Sequence, residues 1–293
     1  MQRLCGHTVR VGKDRYSMVI KNTKQISDSF RENIEYMDRT LPIGKSFDLI
    51  RREIEIGERR AILYFIDGFV KDEAMLKLLD SFMGVTKEDM PEDAAAFSQT
   101  HVPYIEVDVL SDFDQVLRNV LSGVSCLFIE GYASCIAIDT RTYPARSVEE
   151  PDKDKSLRGS RDGFVETIVF NTALMRRRIR DEHLIMEMTE AGQTSRTDIA
   201  ICYLSDRVDQ ELLANVKSRI EDLHIDDLKM NQQTLAEAMF KRKWFNPFPK
   251  FKFTERPDTA VACLLEGKSG VLVEIPHCHD PSDFHSGYDR GGK

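Results

Sequence analysis

The chain has 293 residues, of which 41% are apolar and 31% are charged, and its formal net charge at pH 7 is −8. This length suits one large domain or two of ordinary size, and the apolar fraction is sufficient for a hydrophobic core. The acidic balance disfavours nucleic acid as a general partner, because binding to a phosphate backbone favours a basic surface.

Cysteine usage and hydropathy narrow the class of protein further. The six cysteines form no CxxC pair, and Cys126, Cys135 and Cys202 lie in apolar, strand-like runs where a thiol acts as a small hydrophobe. We therefore expect a reducing compartment. The first residues lack the basic start and apolar run of a secretory signal, and no stretch of 18 apolar residues predicts a membrane span.

Residues 1–145 are expected to form an N-terminal α/β subdomain, because strand and helix patterns mix along them. Alternating or continuous apolar runs predict the strands, and three- and four-residue spacing predicts the helices. The pattern predicts, in chain order, a weak helix near residues 24–37, strands at 46–56 and 61–68, a helix at 71–84, an acidic loop at 87–99, a strand at 104–109, a helix at 112–123 capped by Asp112 or Asp114, and a hairpin at 124–140.

Residues 146–275 are expected to form a second α/β subdomain, which begins with a charged linker and a helix after the sequence RGSRDGF. Its patterns predict strands at 184–190, 197–204 and 269–276, and helices at 210–223, 232–244 and 257–267. The predicted fold class is thus α/β, with two α/β subdomains that have mixed sheets and are joined by a charged linker.

The segment from Glu149 to Asp181 carries the densest charge. Asp162 or Ser160 is a candidate cap for a helix with one apolar face. The acidic residues of this helix lie near its start and the arginines near its end, which favours the helix dipole. The apolar face consists of Val165, Ile168, Val169, Thr172, Met175 and Ile179, and the arginines are Arg176, Arg177, Arg178 and Arg180.

Two interpretations of this segment stay open. In the first, free N–H groups at the helix start bind an anion, with two arginines beside them. In the second, which we favour, arginines and carboxylates form a lattice that fixes the angle between the subdomains. The residues concerned are Glu149, Glu150, Arg158, Gly159, Arg161, Asp162 and Gly163.

Other candidate sites have weaker support. The sequence contains neither a Walker A loop nor GxGxxG, and its histidines suggest no catalytic triad. The segment Arg242–Asp258 combines aromatic and basic residues. It fits either a platform on which nucleic-acid bases stack or, as we favour, a loop whose aromatic side chains pack into a hydrophobic core. The His277–His285 segment holds metal-ligand types but no patterned element. We expect no catalytic residues, no metal and no cofactor.

Several long motifs resemble the GerA family of germination proteins from endospore formers. They include SFDLIRREIEIGERRAILYFIDGFVKDEAMLKLL, RTYPARSVEEPDKDKSLRGSRDGFVETIVFNTALMRRRIRD and KMNQQTLAEAMFKRKWFNPFPKFKFTERPDTA. The resemblance extends from Thr40 to Gly267. It implies a non-catalytic, soluble region of two α/β subdomains on the cytoplasmic (spore core) side of the inner spore membrane. It further implies transmembrane helices after this region, oligomers, partnership with other germination subunits, and a part in ion release.

The resemblance ends after Gly267, where the family continues toward its membrane part. Here the sequence becomes EIPHCHDPSDFHSGYDRGGK. Codons for this stretch, read one base later, can spell a family-like Thr-Ala-Met-Ile-Leu-Pro segment. We therefore expect residues 276–293 to be an aberrant, unstructured tail that a frameshift created, with the membrane part missing. An anion-binding module in the cleft between the subdomains remains the alternative function.

Overall fold

A computed structural model describes residues 24–104, 106–142, 162–191, 197–221 and 253–273. Within these ranges the chain forms helices and strands that belong to two sheets. The helices are α1 Phe30–Thr40, α2 Asp72–Met83, α3 Ala94–Thr100, α4 Phe113–Leu121, α5 Ile168–Arg178, α6 Gln210–Glu221 and α7 Pro257–Leu265. The strands are β1 Leu49–Ile56, β2 Arg59–Ile66, β3 Val107–Leu110, β4 Ser125–Ile129, β5 Cys135–Ile138, β6 Leu184–Ala191, β7 Thr197–Leu204 and β8 Gly270–Val273.

The first sheet has five strands in the order β1-β2-β4-β5-β3, and each described pair is antiparallel. Helices α1 and α4 cover one face, and α2 and α3 cover the other. The sequence of β2 is continuously apolar because both of its faces are buried. Ile62 and Tyr64 point into the core under α1 and α4, whereas Ala61 and Leu63 point into the core under α2 and α3. A strand buried on both faces has no solvent side for polar residues.

Local signals explain where several helices of this unit begin. Asp112 accepts a hydrogen bond from the backbone N–H of Gln115 at 2.8 Å, which confirms the predicted cap of α4. Helix α3 lies where the sequence predicted only a loop. Asp93 caps it by accepting from Ala96 N–H at 2.7 Å, and Phe97 anchors it in the core.

The second sheet has three strands in the order β6-β7-β8, again antiparallel. Helices α5 and α7 pack on one face and α6 packs on the other. Along β7, Ile201 and Tyr203 face α6, whereas Cys202 and Leu204 face α5 and α7. We call residues 24–142 the N-terminal unit and the described residues from 162 to 273 the C-terminal unit.

The predicted combination of helices and strands around two sheets is confirmed. The sheets, which were expected to be mixed, are antiparallel throughout the described strands, because β1–β2, β4–β5 and β6–β7 are hairpin partners. The predicted domain boundaries and the predicted helix at 232–244 lie outside the described residues, so they stay predictions. No described helix combines the length and apolar character that crossing a lipid bilayer requires.

Candidate functional site

The structure describes only some of the residues that the sequence predicted for the lattice or anion site. Glu149, Glu150, Arg158, Gly159 and Arg161 lie outside the described residues, so the role assigned to them stays a prediction. Asp162 and Gly163 are described. The Asp162 carboxylate accepts a hydrogen bond from Arg178 Nη2 at 2.6 Å, which is an arginine–carboxylate contact of the kind that the lattice interpretation requires.

The predicted start of the linker helix was wrong. Helix α5 begins at Ile168 rather than near Asp162, and Thr167 is its N-cap residue. The cause is a side-chain contact within the same segment: Asn171 Oδ1 accepts from Val165 N–H at 2.7 Å, and Asn171 Nδ2 donates to Val165 C=O at 2.6 Å. These bonds hold the preceding segment out of the helix. The anion-site interpretation thereby loses the helix N–H groups that it placed at Gly163.

A buried ion pair joins the two units instead. Arg176 on α5 donates from Nε to Asp48 Oδ2 at 2.7 Å and from Nη2 to Asp48 Oδ1 at 3.1 Å. The two side chains are 0% and 1% exposed, respectively. This two-point geometry is the one in which a guanidinium and a carboxylate bind most specifically. Asp48 precedes β1, so the pair connects the N-terminal unit to the C-terminal unit.

The remaining polar groups around Arg176 are also bonded. Its Nη1 donates to Asp181 C=O at 3.1 Å, and its Nη2 donates to Leu184 C=O at 3.0 Å. Ser46 Oγ donates to Asp48 Oδ1 at 2.5 Å and lies 3.3 Å from Arg176 Nη2. A buried charge is tolerated only when its hydrogen-bonding groups find partners, and here they do.

Backbone contacts continue the connection. Phe47 N–H donates to Met186 C=O at 3.0 Å, and Met186 N–H donates to Ser46 Oγ at 3.0 Å. The segment that precedes β1 therefore pairs with the edge strand of the second sheet. We call these contacts, together with the Arg176–Asp48 pair, the inter-unit joint.

Helix α5 also packs closely on the N-terminal unit. Gly68 has φ +79°, and a Cβ there would lie 3.1 Å from Val169 Cγ1 and 3.2 Å from Ala173 Cβ. Ala173 belongs to the core of the first unit, whereas Met175 and Ile179 belong to the core of the second. Small residues thus allow α5 to lie between the two units.

Sequence reasoning placed an arginine–carboxylate contact between the units but did not identify Arg176 or Asp48. One signal was available: Arg176 lies four residues after Thr172 and one after Met175, on the flank of the predicted apolar face. An arginine at such a position is either exposed or paired in the core. Its partner is 128 positions away in the chain, and no local pattern shows such a contact.

The buried thiol beside the joint has an altered acidity. Burial, and next the nearby Asp48 carboxylate, raise the pKa of Cys202 to about 12. Since the thiolate is the reactive species, we expect iodoacetamide at pH 8 to leave Cys202 unmodified in the folded chain and to modify it in urea. Peptide mass spectrometry measures this, and equal modification in both conditions would contradict the burial.

A polar turn between α5 and β6 was not singled out by the sequence. Side-chain ligand atoms of Asp181, Glu182 and His183 lie within 4.8 Å of one another. His183 Nδ1 lies 2.8 Å from Asp181 Oδ1, and this hydrogen bond raises the pKa of His183. The turn also supplies the carbonyl of Asp181 to Arg176, so its described role is support of the joint.

Known proteins share the sequence and the fold of this chain. Residues 36–277 match the family described as Bacillus/Clostridium GerA spore germination protein. The stage V sporulation protein AF of Bacillus subtilis (strain 168) is 37% identical over 83% of this chain and 49% of its own length. The uncharacterized membrane protein YfkQ of the same organism is 28% identical over 86% of this chain and 48% of its own length. The chain thus spans about half the length of these relatives.

A solved structure shares the fold. The N-terminal domain of the A subunit of the Bacillus megaterium spore germinant receptor GerK3 superposes with a TM-score of 0.63 at 24% identity. The superposition covers 86% of this chain and 93% of that domain. The residue range of the family match runs through most of the N-terminal unit and all of the described C-terminal unit. This chain belongs to the GerA family of spore germination proteins.

Proposed function

We propose that this chain is the cytoplasmic-face region of a spore inner-membrane germination protein, and that it acts in subunit assembly and in coupling a germination signal to ion release. The observation that carries the proposal is the family match over residues 36–277, which spans both units. The longer relatives, one of them named a membrane protein, support a membrane part beyond the matched region.

The geometry of the joint supports a mechanical rather than a catalytic role. The carboxylate of Asp48 and the guanidinium of Arg176 bind each other and their neighbours, so the cluster offers no open position for a reacting group. It does fix how the two units are oriented. In a multi-subunit complex, a shift away from this one orientation would let contacts made by one unit affect the other.

The germination role can be tested in spores. Deleting the complete gene from its host should slow ion release after nutrients are added, and restoring the gene should return the wild-type rate. A conductivity electrode in the spore suspension follows the release. Spores without the gene that release ions at the wild-type rate would contradict the proposed function.

The assembly role predicts homo-oligomers and partnership with other germination subunits. Cross-linking of the full-length protein in spore membranes, followed by detection of the other germination subunits of that spore, measures such partnership. A full-length protein that migrates as an uncross-linked monomer would contradict this part of the proposal.

A further inference from the structure

We propose that the inter-unit joint is a reversible connection, which opens and closes while both sheets stay folded. This inference rests on the proposed function and deepens it, because coupling between two units requires an element whose state can change. The observation behind it is the chemical character of the joint. Its centre is a fully buried ion pair, whereas the two sheets are held by apolar cores.

A buried ion pair and an apolar core respond differently when they are separated. Opening an apolar contact exposes hydrocarbon to water, which is unfavourable in proportion to its area. Opening the Arg176–Asp48 pair exposes two charges, and their hydration offsets much of the lost attraction. The pair therefore specifies one closed geometry and contributes little to holding it closed.

The contacts that flank the ion pair also differ from those of the two apolar cores. At Gly68 the N-terminal unit meets α5 through a residue without a side chain, and Ala173 opposite it contributes one methyl group. Phe47 and Met186 meet through their backbones, and such a hydrogen bond can be replaced by bonds to water. These contacts demand a close fit, and the larger apolar side chains among them, Val169 and Phe47, are only partly buried. The joint is thus easier to open than either core.

The structure supplies two reporters for this opening. The amide hydrogens of Phe47 and Met186 bond across the joint, to Met186 C=O and to Ser46 Oγ. The amides of Leu63 in β2 and Ile201 in β7 lie in central strands that pair on both sides, so they report unfolding of the two sheets. Native-state hydrogen exchange separates local opening from global unfolding by comparing such amides.

In the wild-type chain, we expect the Phe47 and Met186 amides to exchange at least about tenfold faster than those of Leu63 and Ile201, after correction for intrinsic rates. This measurement requires no substitution. Equal protection of all four amides would overturn the proposal, because the joint would then open only when the sheets unfold.

Replacing the ion pair by apolar side chains provides the second test. The double variant D48L/R176M removes both charges, so hydration no longer favours the open state. We expect exchange at Phe47 to slow by about tenfold or more, while the melting temperature stays equal or rises. Unchanged exchange at Phe47 in a folded double variant would overturn the proposal.

Spores distinguish this inference from the proposed function. We introduce the full-length protein with D48L/R176M, at wild-type abundance, into spores that lack the gene. Ion release from these spores should be at least about tenfold slower than with the wild-type protein, because a joint that stays closed cannot transmit a conformational change between the units. A wild-type rate from the variant would overturn the role of the joint and leave the function intact. The proposed function itself would fail in the deletion experiment, if spores that lack the gene released ions at the wild-type rate.

Discussion

Asp48→Ala is expected to lower the free energy of unfolding by about 3–5 kcal/mol, because it leaves the charge of Arg176 without its carboxylate. Arg176 is fully buried in the closed joint, and Ser46 and two backbone carbonyls cannot neutralise a guanidinium. The variant must therefore keep an unpaired buried charge or open the joint to water. Urea denaturation of the wild-type and variant chains measures the loss.

An exposed ion pair supplies the matched control. Asp206 pairs with Arg207 at 3.3 Å, but the two side chains are 37% and 45% exposed, respectively. Asp206→Ala should change the free energy of unfolding by no more than about 0.5 kcal/mol. If Asp48→Ala were as mild as this control, Arg176 would lose nothing by losing its carboxylate, and the charge of Arg176 would not be buried as the closed joint shows it.

Gly123→Ala is expected to destabilise the N-terminal unit for two separable reasons. Gly123 follows α4 with φ +97°, a conformation that costs a residue with a side chain about 1–3 kcal/mol. A Cβ there would also lie 2.6 Å from Cδ2 of Phe69, whose ring is buried. Overpacking of this kind costs roughly another 1–3 kcal/mol. Thermal and urea unfolding measure the sum.

Gly44→Ala separates the two reasons. Gly44 has φ +76°, but a Cβ there would meet nothing within 4 Å. Its substitution should therefore show the backbone contribution alone. If the two variants lose equal stability, Phe69 moves aside without cost and the overpacking argument fails.

Elements with strong local patterns were predictable from the sequence. The apolar run of β2 and the cap of α4 at Asp112 were recognised, because burial on both faces and side-chain capping leave a direct mark on the sequence. Helix α3 was missed, because its seven residues contain only Ala94 and Phe97 as buried anchors. Such a short stretch gives too few apolar positions for a helical period to be recognised.

The candidate site was predictable in kind but not in its residues. An arginine–carboxylate connection between two units was expected in the charged linker, and the described connection uses Arg176 from the end of that segment. Asp48 comes from the turn before β1, and the start of α5 depends on Asn171 folding back on Val165. The choice of Asp48 depends on a tertiary contact over 128 positions. The start of α5 depends on a local bond between side chain and backbone, which competed with the capping preference that favoured Asp162.

The backbone contact between Phe47 and Met186 has a consequence for solubility. Among the described strands, β6 lies at the margin of its sheet. The backbone N–H and C=O groups of a sheet margin invite strands of other molecules. Residues 46–48 cover this margin at Met186. Each opening of the joint uncovers it, so the time spent open also sets how often neighbouring molecules can add a strand there and begin to aggregate.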